Sequence, residues 1–147
     1  MTKHRINIQK LNPNAMLPTY GTPQSAGLDL YACLDAPIII KPLERAVIPH
    51  GFAIELPDGF EVQVRSRSGL AMKNGVIVLN SPGTVDSDYR GEIKTLLINL
   101  GQADFVVEHG MRISQMVLAR HETVSWVEAD ISHNTQRGQG GYGSTGI

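Results

Sequence analysis

Cysteine is almost missing. Cys33 is the only one in 147 residues, which excludes an internal disulfide and any paired-thiolate metal motif. A single free cysteine reads as a small apolar filler of the interior. Basic blocks are missing too: 13 Lys and Arg face 14 Asp and Glu, for a formal net charge of -1. A protein that grips nucleic acid by its phosphates needs clustered cations, so nucleic acid is not an expected partner. A small phosphorylated ligand needs only a few local cations and stays open. No apolar run reaches signal-peptide or membrane-span length, so the expected setting is the cytoplasm, with no membrane partner. The five histidines are scattered at 4, 50, 109, 121 and 133, without the spacing of a zinc site. No Walker A loop and no nucleophile elbow is legible.

Long helical periodicity is also lacking, and short strands stand in its place. The 41% apolar content is ordinary for one soluble domain with a real core. FAIEL (52–56) and FEVQV (60–64) alternate apolar and polar residues, the period of a half-buried strand. Pro57-Asp58-Gly59 between them is a turn signal, so the pair reads as a β-hairpin. Further strands are expected at Ile38–Ile40, Val76–Leu79, Ile93–Leu100, Phe105–Val107, Ile113–Ala119 and Val124–Val127. One short helix is expected in RSRSGLAMKNG, capped by Ser66 or Ser68 and ended by Gly75. The fold class is therefore all-β, a jelly-roll-like barrel or sandwich with one short helix. The folded domain is expected over 1–131, followed by a polar, glycine-rich and flexible C-terminal arm over 132–147.

Several stretches could carry chemistry. RSRSGLA (65–71) places Arg67 and Ser68 at a helix start, where free N–H groups favour an anion; an exposed loop with a capping serine is the alternative. NSPGTVDSDYRGEIK (80–94) reads as a hairpin carrying Asp86, Asp88 and Glu92. Those carboxylates could act as a base or merely solvate a turn, and the spacing is not that of an EF-hand. Tyr89 is an aromatic in a polar turn, placed to pack on a sugar or a base. In AGLDLYA (26–32), Asp29 points away from Leu28 and Leu30, toward either solvent or a cleft. In GMRISQMVLAR (110–120), Arg112 and Gln115 interrupt a core strand near its start.

In this order the stretches AGLDLYA, RSRSGLA, GTVDSDYRGEI, GMRISQMVLA and RGQGGYGSTG resemble the five motifs of the trimeric dUTPases (deoxyuridine triphosphate nucleotidohydrolases), over residues 26 to 146. The third and fifth are the most specific. The resemblance implies a jelly-roll homotrimer with active sites shared between subunits, and hydrolysis of dUTP to dUMP and pyrophosphate with Mg²⁺. Such an activity limits uracil incorporation into DNA and supplies dUMP for thymidylate synthesis. Carried over, Asp86 is the general base, Gln115 helps hold the attacking water and Arg112 braces its motif. Arg67, Ser68 and Gly69 hold phosphates, and Asp29 meets hydrated Mg²⁺ through water. Asn80, Thr84, Val85 and Lys94 read uracil, while Tyr89 packs on the deoxyribose and excludes a 2′-hydroxyl. In the arm, Tyr142 stacks on uracil, and Arg137, Ser144 and Thr145 contact the outer phosphates. Tyr142 stands where phenylalanine is more usual in the family, and Ser66 where some members have proline. The related dCTP deaminases differ in the third motif and lack this glycine-rich ending.

Overall fold

The computed structural model describes residues 2–146. Twelve strands and one helix follow in chain order. The strands are β1 (Asn7–Lys10), β2 (Thr19–Tyr20), β3 (Leu28–Tyr31), β4 (Ile38–Ile40), β5 (Arg45–Pro49), β6 (Phe52–Glu55) and β7 (Phe60–Arg65). The helix α1 (Ser68–Asn74) precedes β8 (Val76–Val78), β9 (Gly83–Val85), β10 (Lys94–Asn99), β11 (Phe105–Val107) and β12 (Arg112–Arg120). The largest sheet runs β2-β3-β12-β7-β9; β5-β10-β8 forms a second, and β1-β6 and β11-β4 are two-stranded. Every strand pair is antiparallel. This is the all-β jelly-roll class that the alternating pattern implied.

The period-two pattern explains what lies inside. In β7, Phe60, Val62 and Val64 are buried while Glu61, Gln63 and Arg65 turn outward. Val62 and Val64 join Leu30, Ile48, Phe52, Leu97, Val107 and Ile113 in one core. Burying a side chain of this size stabilises the fold by roughly 1.5–3 kcal/mol. Four polar side chains share the interior: His50, Thr95, Asn99 and Ser114. All find partners, since no buried side-chain nitrogen or oxygen among the described residues is left unbonded. Asn99 donates to the carbonyls of Ile40 and Ala103 and accepts from Gly101 N–H. Cys33 is buried and free, as its scarcity suggested.

Three expectations need correction. β6 and β7 are not a hairpin: β6 pairs with β1, and β7 pairs with β12 and β9. Pro57–Gly59 does make a turn, with Phe60 N–H donating to Pro57 O at 3.3 Å, but it carries the chain between sheets. Alternation dictates which face is buried, not which neighbour completes the ladder. Val124–Val127 is not a strand. β12 leaves the sheet after Arg120, its last partner being Phe60, and Val124, Trp126 and Val127 stand exposed. Neither serine caps α1. Arg67 occupies the cap position without a side-chain bond, Ser68 is already helical, and Ser66 Oγ accepts instead from Val78 N–H at 2.9 Å. Gly75 does end the helix, in the left-handed region at φ 66°.

Candidate active site

The motif residues fall into three groups. The first is built on the large sheet by a β-bulge. β12 pairs Arg112 with Tyr31 and Gln115 with Asp29, while two β12 residues, Ile113 and Ser114, stand against Leu30 alone. In a regular strand, residues three apart point to opposite faces. The extra inward residue puts Arg112 and Gln115 on one face, beside Asp29. Asp29 Oδ1 lies 3.2 Å from Arg67 Nε, and Asp29 Oδ2 lies 3.2 Å from Arg112 Nη1. Arg67 also donates to the Arg112 carbonyl at 3.0 Å. Gln115 donates to Ser66 O at 2.9 Å and lies across Gly27, where a Cβ would collide with its amide. Two guanidiniums on one carboxylate leave a surplus positive charge and free N–H donors, which suits an anion. Ser68 and Gly69 follow at the exposed start of α1.

The second group lies along 80–94. The expected hairpin is not one within this chain: β9 pairs with β7 in the large sheet, and β10 pairs with β5 and β8 in another. The diverging strands leave a cleft of ≈190 Å³, walled by Thr84, Val85, Asp86, Tyr89, Glu92, Ile93 and Lys94. A tight turn closes its end, with Tyr89 N–H donating to Asp86 O at 3.2 Å. The Tyr89 hydroxyl donates to Glu92 O at 2.9 Å. Its ring lies across Gly91, where a Cβ would clash with the phenol. Arg90 is turned away, donating to the carbonyls of Ser87 and Tyr89 and facing Glu55 at 3.9 Å. Asn80 is not a wall of this cleft; it sits on the exposed turn before β9, its amide against Gly83.

The third group is the arm. Arg137 donates to Gly140 O at 2.8 Å, and Ser144 N–H donates to Gly141 O at 3.0 Å. Tyr142 is fully exposed with a left-handed backbone, and Thr145 is exposed too. Among the described residues, no hydrogen bond or ion pair joins 132–146 to the body of the chain. None joins the side chains of the first group to those of the second.

A magnesium ion finds no protein cage here. Among the described residues, no three His, Cys, Asp or Glu side chains cluster. What is available is Asp29, 17% exposed, whose oxygens retain accepting capacity beyond their two arginine bonds. This donor set fits an ion held by phosphates and water with a carboxylate beyond its water shell, rather than a resident metal. Among the described residues, no helix is long and apolar enough to cross a membrane.

Sequence reasoning missed Ile93 as a cleft wall, Gly27 as the floor under Gln115, and the Ser66 carbonyl as the partner of Gln115. Gly27 stands immediately before a strand, a position where glycine signals close approach; the others carry no local signal.

Comparison with known proteins gives the family. The family model described as dUTPase matches residues 13–146. The deoxyuridine 5'-triphosphate nucleotidohydrolase of Rickettsia felis is 55% identical over 148 residues, covering all of both chains. That of Orientia tsutsugamushi (strain Boryong) is 60% identical over 131 residues, 89% of this chain and 88% of its own. Among solved structures, a variant dUTPase of Staphylococcus bacteriophage 80alpha with dUpNHpp superposes at a TM-score of 0.88 and 21% identity, over 99% of this chain and 100% of its own. With a family model spanning nearly the whole chain, full-length relatives above half identity and the same fold, this protein belongs to the dUTPase family.

Proposed function

We propose that the protein hydrolyses dUTP to dUMP and pyrophosphate by attack of water on the α-phosphorus. The observation that carries this reading is the cleft in which Asp86 and Tyr89 share a wall with the strand ends at Val85 and Lys94. Asp86 accepts a proton from water as its oxygen bonds to the α-phosphorus. The bond from that phosphorus to the bridging oxygen breaks, and pyrophosphate leaves with the bonding pair. Gln115 helps hold the water, and Arg112 braces Gln115's strand through Asp29. Arg67, Ser68 and Gly69 take phosphate oxygens, where charge must be offset during the transfer. Mg²⁺ carried by the triphosphate, with Asp29 reached through water, supplies further neutralisation.

Uracil is read in the cleft by the backbone of Thr84, Val85 and Lys94, with Asn80 reaching the base from the turn before β9. Polar groups matched to the uracil edge are left unpaired by cytosine, the strong route to selectivity. Tyr89 packs against the deoxyribose and leaves no room for a 2′-hydroxyl.

The site is composite. Among the described residues, the arginine cluster, the cleft and the arm do not meet through side-chain bonds in one chain, which supports a homotrimer whose sites combine parts of different subunits. Tyr142 then stacks on uracil, while Arg137, Ser144 and Thr145 take the β- and γ-phosphates. Eleven residues extend to roughly 36 Å, enough to reach a neighbour. In the cytoplasm, the activity limits uracil incorporation into DNA and supplies dUMP for thymidylate synthesis.

The test is a pyrophosphate assay with dUTP, UTP and dCTP, alongside solution mass. Turnover of dUTP by a trimer is expected. Ammonia released from dCTP would replace this reading with a deaminase, and tight dUTP binding without turnover would replace it with a nucleotide sensor.

A further inference from the structure

The β12 bulge has an unusual keystone. Of its two inward residues, Ile113 is the unpaired one, and Ser114, paired with Leu30, carries a fully buried hydroxyl into an apolar core. Ser114 Oγ lies 2.7 Å from Thr95 Oγ1 on β10. Thr95 Oγ1 lies 2.7 Å from His50 Nε2, and His50 Nδ1 lies 2.7 Å from the Tyr31 carbonyl. The protons of this chain are determined by chemistry. A carbonyl only accepts, so His50 Nδ1 carries the hydrogen and, in the neutral ring, Nε2 accepts. The Thr95 hydroxyl spends its one hydrogen on Nε2, so Ser114 donates to Thr95.

The chain closes on itself. It begins at Ser114 in the bulge and ends at Tyr31, the residue that β12 pairs with Arg112. The backbone of His50 reaches the other half of the site: its N–H donates to Ile93 O at 3.1 Å, and Ile93 is a wall of the cleft beside Lys94. An apolar side chain at 114 would fit any register that kept it inward. A hydroxyl whose partner waits at one place fits only one, because an unmatched buried polar group is costly.

We infer that His50 is a positioning residue for the reaction: through Thr95 and Ser114 it holds the bulge that turns Arg112 and Gln115 onto the face of Asp29. The inference rests on the site reading above, in which Gln115 and Arg112 serve the attacking water and its surroundings. Misplacement at such a site acts on the chemical step more than on nucleotide affinity.

The test compares kcat, KM for dUTP and Tm across four variants of the full chain. His50→Leu/Thr95→Val/Ser114→Ala replaces the chain by apolar groups of similar size, a change that fold stability tolerates. It is expected to lower kcat about tenfold while KM stays within about twofold and Tm within about 5 °C. His50→Gln restores one donor and one acceptor and is expected to stay near wild-type kcat. Ser114→Ala removes only the terminal donor, orphans no other hydrogen and covers the case in which the triple variant folds poorly; about a threefold loss of kcat is expected. Gln115→Ala reports on the reading beneath. A large loss in Gln115→Ala, with wild-type kcat in the triple and Ser114→Ala variants, would overturn the positioning role alone. Unchanged kcat in Gln115→Ala would overturn the site reading and the inference with it. Loss of Tm and kcat together in all variants, unrescued by His50→Gln, would leave only a packing role and also overturn it.

Discussion

The face of the large sheet and the C-terminal arm are built by opposite means. On the sheet, Asp29, Arg67, Arg112 and Gln115 are held by strand register, a bulge and ionic contacts of 3.2 Å. In the arm, Arg137, Tyr142, Ser144 and Thr145 sit among glycines whose bonds reach no further than the next turn. On the proposed reading, the sheet meets the substrate preorganised and loses little freedom when it binds. On the same reading the arm has its ordering still to do, and nucleotide binding supplies that free energy. Glycine suits this role, because backbone N–H groups can approach an anion without a side chain between. Rigid walls suit chemistry; a loose cover suits exchange of substrate and product.

The contrast breaks most visibly at Asp86. Exchanging the carboxylate of this proposed base for an amide keeps its shape and removes the proton acceptor. Asp86→Asn is expected to bind dUTP nearly as well as the parent and to turn it over about 10²–10⁴-fold more slowly. Isothermal titration with a non-hydrolysable dUTP analogue and a pyrophosphate assay check the two halves of the statement. Near-normal turnover would remove Asp86 from the mechanism. Removing the arm tests the other region. A chain ended before Arg137 is expected to keep its Tm and the proposed trimer while turnover falls about 10²-fold, the scale at which lost positioning acts. An active truncated enzyme would reduce the arm to decoration. Nicking by trypsin near Arg137, slowed by the analogue in the full chain, would show the arm ordering over nucleotide.

Legibility in the sequence follows the same division. The alternation in FEVQV and the apolar runs around Leu97 and Ile113 led directly to β7, β10 and β12. β1 (NIQK) was illegible because all four of its residues are exposed, so no inward face marks it. The FAIEL–FEVQV pairing failed because ladder partners are set by the whole topology. Val124–Val127 has strand composition but no strand to lie against. Asp29, Arg67, Arg112 and Gln115 stood out in motifs, whereas the bulge uniting Arg112 with Gln115 did not. Their spacing of three suggests opposite faces until the register is known. His50 was read only as an isolated histidine, because its partners lie 45 residues ahead and 19 behind.

A smaller effect is expected at Tyr89, which is prebuilt yet half exposed. Its hydroxyl is anchored to Glu92 O and its ring lies against Gly91, so its place on the cleft wall is firm. Tyr89→Ala is expected to cost dUTP turnover modestly and to let UTP compete better, narrowing the ratio of kcat/KM values by about 10-fold, the scale of a lost steric contact. Equal discrimination in parent and variant would contradict the sugar-packing role. The same ratio is expected to be insensitive to Tyr142→Phe, since stacking in the arm needs only a ring.

The last effect concerns stability alone, leaves turnover near neutral pH untouched, and belongs only to the built region. Burial lowers the His50 pKa from 6.5 to about 4, the loss of hydration outweighing the bond to the Tyr31 carbonyl. The unfolded chain therefore binds a proton at His50 between pH 6.5 and 4 where the folded chain does not. Stability from this group is fully present above pH 6.5, falls as pH drops through that window, and levels off below 4. The slope approaches about 1.4 kcal/mol per pH unit, on the order of 3 kcal/mol in all. Urea unfolding at about pH 7, 6, 5 and 4.5 measures it against His50→Gln, which cannot titrate. The difference between the two proteins is expected to grow as pH falls, in the direction that favours the variant. The arm has no part in this: trypsin nicking near Arg137, corrected for the protease's own pH dependence, should stay level over the same window. Equal pH slopes for parent and variant would mean that His50 is not held neutral in the core, and the direction of every proton in the His50–Thr95–Ser114 chain would have to be reassigned.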